Sequence, residues 1–313
     1  MNLRMLFVLG LVALGPCLIA GCPDDTSDDD SADDQACEAP YTPFDAANYQ
    51  NQFLRVGAYE QIVAIRKSED FAASDFDTIE ELYTTTASLQ EKVQGREDDH
   101  SYATAVEIGA QLDVDITEAI AAGKAGDEID VQGQIVDKTL QRFFFLSVYH
   151  EMMKSQDPDK TAADIDKGWD EAFGYFGTDN DGEEPTGIAK TLSKRDVEFG
   201  FALVAEVFNA LLDGRCVAAD ADYVGVVDHI ETADLAMLRG FALSVVHEMD
   251  EYDDDPLIKG WEALLYWNII SDYALTVDAD LHAAVEAEFE KGVEAVDAPV
   301  LRQAVLDIFG FDL

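Results

Sequence analysis

The chain has 313 residues and carries 65 acidic against 20 basic side chains, a formal net charge of −45. A surface this negative excludes nucleic acid as a partner and opposes docking on anionic lipid headgroups, because both need positive charge. The charge is compatible with solubility in a salty environment, where screening weakens repulsion between carboxylates, and with attraction of cations.

The N-terminus has the features of a bacterial export signal. Arg4 supplies the positive charge, an apolar run extends over 5–18, and Ile19-Ala20-Gly21-Cys22 follows. These last four residues resemble the lipobox of bacterial lipoproteins, which implies a signal peptide over 1–21, cleavage before Cys22 and lipidation of its thiol. The apolar run is shorter than the ~20 residues of a spanning helix. We therefore expect a protein anchored by lipid alone, on the periplasmic side or at the cell surface.

Residues 22–40 are predicted to form an acidic, disordered tether. Its centre, 24–34, contains only Asp, Ser, Thr and Ala, so it offers no side chain that can build a core, and its charges repel one another. The tether would hold the globular body, which begins at about residue 41, away from the lipid surface.

Of the four cysteines, only one pair is a candidate for a disulfide. Cys17 leaves with the signal peptide and Cys22 carries lipid, so Cys37 and Cys216 remain. Because the envelope is an oxidising compartment, we predict a disulfide between them that pins the start of the body to the turn at 213–214.

Almost every later segment has the period of a helix, and strand alternation is not visible. We therefore predict an all-α fold without a significant β-sheet. Thr161 and Asp255 are predicted N-caps, and Gly123, Gly177 and Gly214 follow three helices as stop signals. The predicted helices cover 43–67, 76–93, 102–122, 129–154, 161–176, 195–212, 223–252, a segment from 256 through 267, 280–291 and 298–309.

One block of the sequence occurs twice. Residues 142–152 match 239–249 at eight of eleven positions, and both copies contain Leu-Ser-Val, one variable residue and His-Glu-Met. A second block, Lys-Gly-Trp followed by an acid, occurs at 167–170 and again at 259–262, at a spacing five residues shorter. Matched blocks in the same order indicate an internal duplication. We predict two related helical bundles, 41–178 and 195–313, joined by an acidic linker over 179–194.

The repeated helices carry charges on a largely apolar surface. Arg142 and Arg239 each lie eight residues before the repeated His, so Arg and His lie along roughly one side of the helix. Buried charges need partners. We predict that the acids one helix later, Asp170 and Glu262, form structural ion pairs with these two arginines.

Adjacent His and Glu residues in each copy form a candidate metal site. A neutral imidazole and a carboxylate together suit zinc, iron or manganese. Adjacent side chains point about 100° apart on a helix, so one pair cannot close a site and other carboxylates must contribute. The alternative is a buried scaffold that locks helix packing and holds no ligand. The candidate ligands are His150, Glu151, His247, Glu248, Asp170, Glu171 and Glu262.

Enzyme motifs are not met. Lys154 and Glu251 stand where the zinc metallopeptidase motif His-Glu-x-x-His needs its second His. No serine nucleophile elbow, phosphate-binding glycine loop or Cys-His arrangement is visible. We therefore predict a protein that is not an enzyme.

Residues Asp179, Asn180 and Asp181 resemble part of a calcium loop. The full pattern is not met, because Gly177 replaces the first Asp and Ile188 the last Glu. We interpret this stretch as an exposed acidic turn, with weak calcium binding as the alternative.

An exported, all-helical, duplicated body with a His and an acid on a core helix in each half resembles the imelysin-like family of bacterial envelope proteins. That family has two related helical bundles, is associated with iron or haem uptake, and carries the motif Gly-x-His-x-x-Glu. Here His247 and Asp250 take the His and acid positions, Val245 replaces Gly, and His150 corresponds by internal symmetry. The run 169–176 also looks similar to that family. The resemblance implies binding of iron or another divalent metal; the alternative is a structural or interaction lipoprotein without a ligand, its partner another envelope protein.

Replacing Cys22 by Ser is expected to release the protein from membranes, because the acidic tether has no apolar surface to hold it there. Membrane fractionation followed by immunoblotting measures the effect. Cys17→Ser, within the signal, is the matched control and should stay with the membrane. Complete retention of the Cys22 variant would contradict the predicted anchor.

Overall fold

The computed structural model describes residues 44–100, 108–178, 184–219 and 224–313. Within these ranges every element of regular secondary structure is a helix. This confirms the predicted all-α fold. The helices are α1 (Ala46–Arg66), α2 (Asp75–Thr85), α3 (Leu89–Gln94), α4 (Gly109–Ala125), α5 (Ile129–Met153), α6 (Ala162–Phe176), α7 (Gly187–Phe199), α8 (Leu203–Ala219), α9 (Gly225–Asp250), α10 (Pro256–Val277), α11 (Ala279–Phe289) and α12 (Ala298–Phe309).

Several predicted features lie outside the described residues. They are the signal peptide, the tether with the lipidated Cys22, and the calcium-like stretch from Asp179 to Asp181. Cys216 is disulfide-bonded and lies within α8, so the turn predicted at 213–214 is wrong. Cys37, its predicted partner, lies outside the described residues. Among the described helices, none combines the length and apolar character that a membrane span requires.

The two helices that contain the repeated block, α5 and α9, are covered by other helices on most sides. Helix α5 packs against α1, α4, α6 and α10, and α9 packs against α7, α8, α10 and α12. The two also meet directly, with the rings of Phe145 and Phe241 edge to face at a centroid distance of 5.8 Å. Apolar side chains from both sequence halves form one continuous core. The division into two bundles joined at 179–194 stays a sequence prediction.

The glycine of each Lys-Gly-Trp block allows a close helix contact. A Cβ at Gly168 would lie 2.6 Å from the carbonyl oxygen of Glu151, and one at Gly260 would lie 2.2 Å from that of Val293. Real Cβ atoms do not approach backbone oxygens this closely. The glycine therefore lets α6 lie against the end of α5, which brings the charged side chains of the two helices together.

The helix predicted over 76–93 is two helices. Ala87 (φ 48°) and Ser88 (φ 57°) have left-handed backbone, which separates α2 from α3. Arg55 on α1 donates from Nε to the carbonyl of Ala87 at 2.9 Å. A tertiary contact thus supports this turn, and helical periodicity in the sequence carries no sign of it.

The helix predicted over 195–212 is also two helices, and the first begins inside the predicted linker. Helix α7 starts at Gly187 and stops before Gly200, whose φ of 77° is left-handed. The Asp196 carboxylate accepts from the amides of Leu203 (2.8 Å) and Val204 (3.0 Å) at the start of α8. Because this cap comes from the preceding helix, residues adjacent to the break do not reveal it.

A buried ion cluster joins α5 to α1 and α10. The Asp137 carboxylate accepts from the Tyr59 hydroxyl (2.7 Å), Arg66 (2.8 Å) and Lys138 (3.0 Å). Burial alone would raise the pKa of Asp137, but Lys138 and Arg66 outweigh it and hold the pKa well below its usual range. Lys138 also lies 3.4 Å from Glu262 on α10. Glu262, predicted as a metal ligand and as the partner of Arg239, is therefore the partner of Lys138.

Replacing Asp137 by Asn should lower the free energy of unfolding by about 3–5 kcal/mol, because Arg66 and Lys138 would be left buried without their counter-charge. Urea denaturation measures the change. Asp130→Asn, at the exposed first turn of the same helix, is the matched control and should cost less than about 1 kcal/mol. Equal losses in the two variants would show that the cluster does not stabilise the fold.

Candidate metal centre

The second His-Glu pair lies at the C-terminal end of α9. His247 is in the last turn, Glu248 beside it is buried, and Glu251 is the C-cap residue. His247 and Glu251 are four residues apart and share one face of the helix. A helix C-terminus carries partial negative charge, so this position favours a cation.

Helix α7 supplies the group that orients the imidazole. Nδ1 of His247 lies 2.8 Å from Oε1 of Glu198. With the Nδ1 proton donated to that carboxylate, Nε2 keeps its lone pair and lies 3.5 Å from Oε2 of Glu251. One donor atom each from His247, Glu248 and Glu251 lie within 4.8 Å of one another, the one such group of His, Cys, Asp or Glu found in the described parts of the chain.

An ammonium group neutralises Glu248 and Glu251. Nζ of Lys259, from the repeated Lys-Gly-Trp block at the start of α10, lies 3.0 Å from Glu248 and 2.5 Å from Glu251. Burial lowers the pKa of Lys259, but the two carboxylates outweigh it and raise the pKa well above its usual range. Burial and the neighbouring Glu262 raise the pKa of Glu248. The arrangement is therefore a cluster of one imidazole and two carboxylates, with the ammonium of Lys259 as the counter-charge of the two acids.

The first His-Glu pair is built differently. Nδ1 of His150 pairs with Asp99, much as His247 pairs with an acid. Four residues after the His, however, stands Lys154, whose ammonium pairs with Glu151 and, at 3.0 Å, with Glu171. The first copy thus carries a fixed cation where the second has a carboxylate, and it does not gather three ligands within the residues described.

Asp170 lies away from both histidines. Its carboxylate is fully buried and contacts Nε of Arg215 (2.8 Å), Nδ2 of Asn48 (2.8 Å) and the amide of Asp45 (3.1 Å). The predicted ion pair with Arg142 is not formed. Asp170 comes two residues after Gly168, the glycine that faces α5. It therefore lies about 200° further round the helix and points away from α5.

The remaining predicted residues have other neighbours. Arg142 makes no ion pair with a described residue, and burial lowers its pKa. Arg239 stands 3.9 Å from Glu206, with its guanidinium over the ring of Phe201, and not beside Glu262. Asp250, 40 % exposed, pairs with Arg302 at 2.6 Å. These residues do not contribute to the centre at His247.

Sequence reasoning missed a buried histidine. His100, 1 % exposed, places Nδ1 2.8 Å from Asp98 and Nε2 3.0 Å from Asp234 on α9, and its ring stacks on Tyr149. Burial lowers the pKa of His100, but the two carboxylates outweigh it and raise the pKa to about 9. The available signal was Asp234, which occupies the same place in the repeat as the buried Asp137.

Stability should fall as the pH rises through about 9. The pKa of His100 is raised above its unfolded value of ~6.5, so its contribution is complete below that pH and is lost as the ring deprotonates, by roughly 3 kcal/mol at most. Urea unfolding at pH 6.5 and 9.5 measures the loss. His100→Gln should remove most of the difference, whereas His229→Gln, the control, should keep it. An unchanged difference in the His100 variant would exclude this histidine as its source.

Comparison with known proteins gives one partial likeness. A family model described as a domain of unknown function (DUF4856) matches residues 134–250. The matched region begins within α5 and ends at the last residue of α9, so it includes both copies of the repeated block and both His-Glu pairs. No curated protein and no solved structure matches the chain.

Proposed function

We propose that this chain is a lipid-anchored envelope protein that binds a divalent transition-metal ion through His247, Glu248 and Glu251. The observation that carries the proposal is the contact between Glu198 and Nδ1 of His247, with Nε2 turned toward Glu251. In metal sites the ligating His almost always donates its other ring N–H to a carboxylate or carbonyl, which fixes the tautomer and raises ligand basicity.

The ligand atoms limit which metal ions suit the site. One imidazole and two carboxylates suit iron, manganese or zinc, whereas calcium prefers oxygen donors alone. The resemblance to imelysin-like envelope proteins, which are associated with iron or haem uptake, favours iron. The net charge of −45 adds a general attraction for cations. Asp250, which that resemblance suggested as a ligand, is replaced in the proposal by Glu251.

Lys259 gives the site a built-in competitor. Its ammonium contacts the two carboxylates that the ion would need, so metal binding requires this side chain to leave. The exchange replaces one positive charge by two and keeps both acids compensated. We therefore expect the apparent affinity for metal to rise when the ammonium is removed.

The second candidate function is a structural or interaction lipoprotein without a ligand. The observation that favours it is that Lys259 and Glu198 already provide partners for Glu248, Glu251 and His247. In that case the cluster is a lock between α7, α9 and α10. The two proposals differ in what happens when Lys259 is removed.

Metal titration of chelator-washed protein separates them. By isothermal titration calorimetry with Zn²⁺ and, without oxygen, Fe²⁺, the wild type should bind one ion. Glu251→Gln and His247→Gln should each weaken binding about tenfold or more, and Lys259→Gln should strengthen it. His150→Gln is the matched control and should bind as the wild type does. A wild type and a Lys259→Gln variant that both bind no ion, with a lower melting temperature in the variant, would leave only the structural function.

A further inference from the structure

A polar cavity of about 530 Å³ opens between α1, α3, α5 and α6. It lies at the first His-Glu pair and is distinct from the centre at His247. Its walls contain five of the chain's 20 lysines and arginines, which are Arg55, Lys92, Arg96, Lys154 and Lys167. They contain three acids, so the cavity is more basic than acidic in a chain whose acids outnumber its bases more than threefold.

Two of these cations have no carboxylate partner in the part of the chain that the structure describes. Arg55 and Lys92 form no ion pair with a described residue, although 65 acidic residues are present in the chain. Arg55 is 5 % exposed and donates from Nε to a backbone carbonyl and from Nη1 to the Tyr175 hydroxyl. Its third nitrogen, Nη2, donates to no described residue.

Arg96 is buried at the same cavity with an unused donor. It is 6 % exposed, its Nε has no hydrogen-bond acceptor in the described structure, and its nearest carboxylate oxygen, of Glu151, is 3.9 Å from Nη2. Leaving a buried, charged donor without an acceptor is unfavourable, because the group has lost its hydration and gained no hydrogen bond in exchange. Two buried guanidinium groups with spare donors on one cavity therefore call for an acceptor with negative charge.

We infer that this cavity binds a small molecule through a carboxylate or phosphate group, held by Arg55 and Arg96. Planar guanidinium groups match such oxyanions with paired hydrogen bonds. Lys92 and Lys167, both exposed, provide positive charge at the mouth, which an anion needs in order to approach so negative a protein. The volume admits a molecule of metabolite size.

The test uses inorganic phosphate and succinate as probes of the two oxyanion types, with the full-length protein and the ionic strength held constant with sodium chloride. Thermal unfolding should show a saturable rise in melting temperature with phosphate, succinate or both, beyond that of chloride. The double variant Lys92→Gln/Lys167→Gln should weaken binding about tenfold. The control Lys124→Gln/Lys291→Gln loses the same two charges away from the cavity and should change the affinity less than about twofold.

Arg96→Lys keeps the charge but removes the paired donors, and it should weaken binding while the exposed lysines remain. If that variant does not fold, the two lysine double variants decide alone. The inference is overturned if neither probe stabilises the protein beyond chloride, or if both double variants bind the probes with equal affinity. Binding of only one probe supports the inference and identifies the oxyanion as tetrahedral phosphate or dicarboxylate.

Discussion

The structure depends on pairing a few cations with the carboxylates buried along α5 and α9. Each buried acid there has its own base: Asp137 contacts Arg66 and Lys138, and Glu248 contacts Lys259. Acids outnumber bases more than threefold, so few cations are left over. An unpaired buried charge would cost several kcal/mol, which makes the pairing a condition for packing the two helices. Arg55, buried beside the first His-Glu pair, and Arg142 depart from this pattern, because neither has a carboxylate partner among the described residues.

The two repeated helices share a set of contacts and differ in the helix that supplies the lysine. In each, Nδ1 of the repeated His pairs with an acid that lies 51 or 49 residues earlier in the chain, and the buried Glu pairs with a lysine. The lysine comes from the same helix in the first copy, as Lys154, and from the next helix in the second, as Lys259. The same set of contacts therefore lies beside a cation-rich cavity at the C-terminal end of α5 and beside an acid-rich centre at the C-terminal end of α9.

Helical periodicity and the repeat were enough to predict the fold class and the central role of α5 and α9, because an apolar surface on every side of a helix requires cover. The N-caps at Thr161 and Asp255 were also predictable, and both side chains cap their helices. The partners of the buried charged side chains were not predictable. Asp170 contacts Arg215, and His100 contacts Asp234, across more than 40 and more than 130 residues. Such pairs depend on helix orientation, which periodicity does not specify.

The glycine contact at α10 has a consequence for the neighbouring charge. Gly260 meets the carbonyl of Val293 directly, and the residue before it in the chain is Lys259. The closeness of that contact fixes how far α10 stands from the 3₁₀ turn at Val293–Ala295, and therefore where the ammonium is delivered. A change confined to apolar packing there would shift a charge at the end of α9. In this fold a contact between backbone atoms therefore sets the position of a charged group.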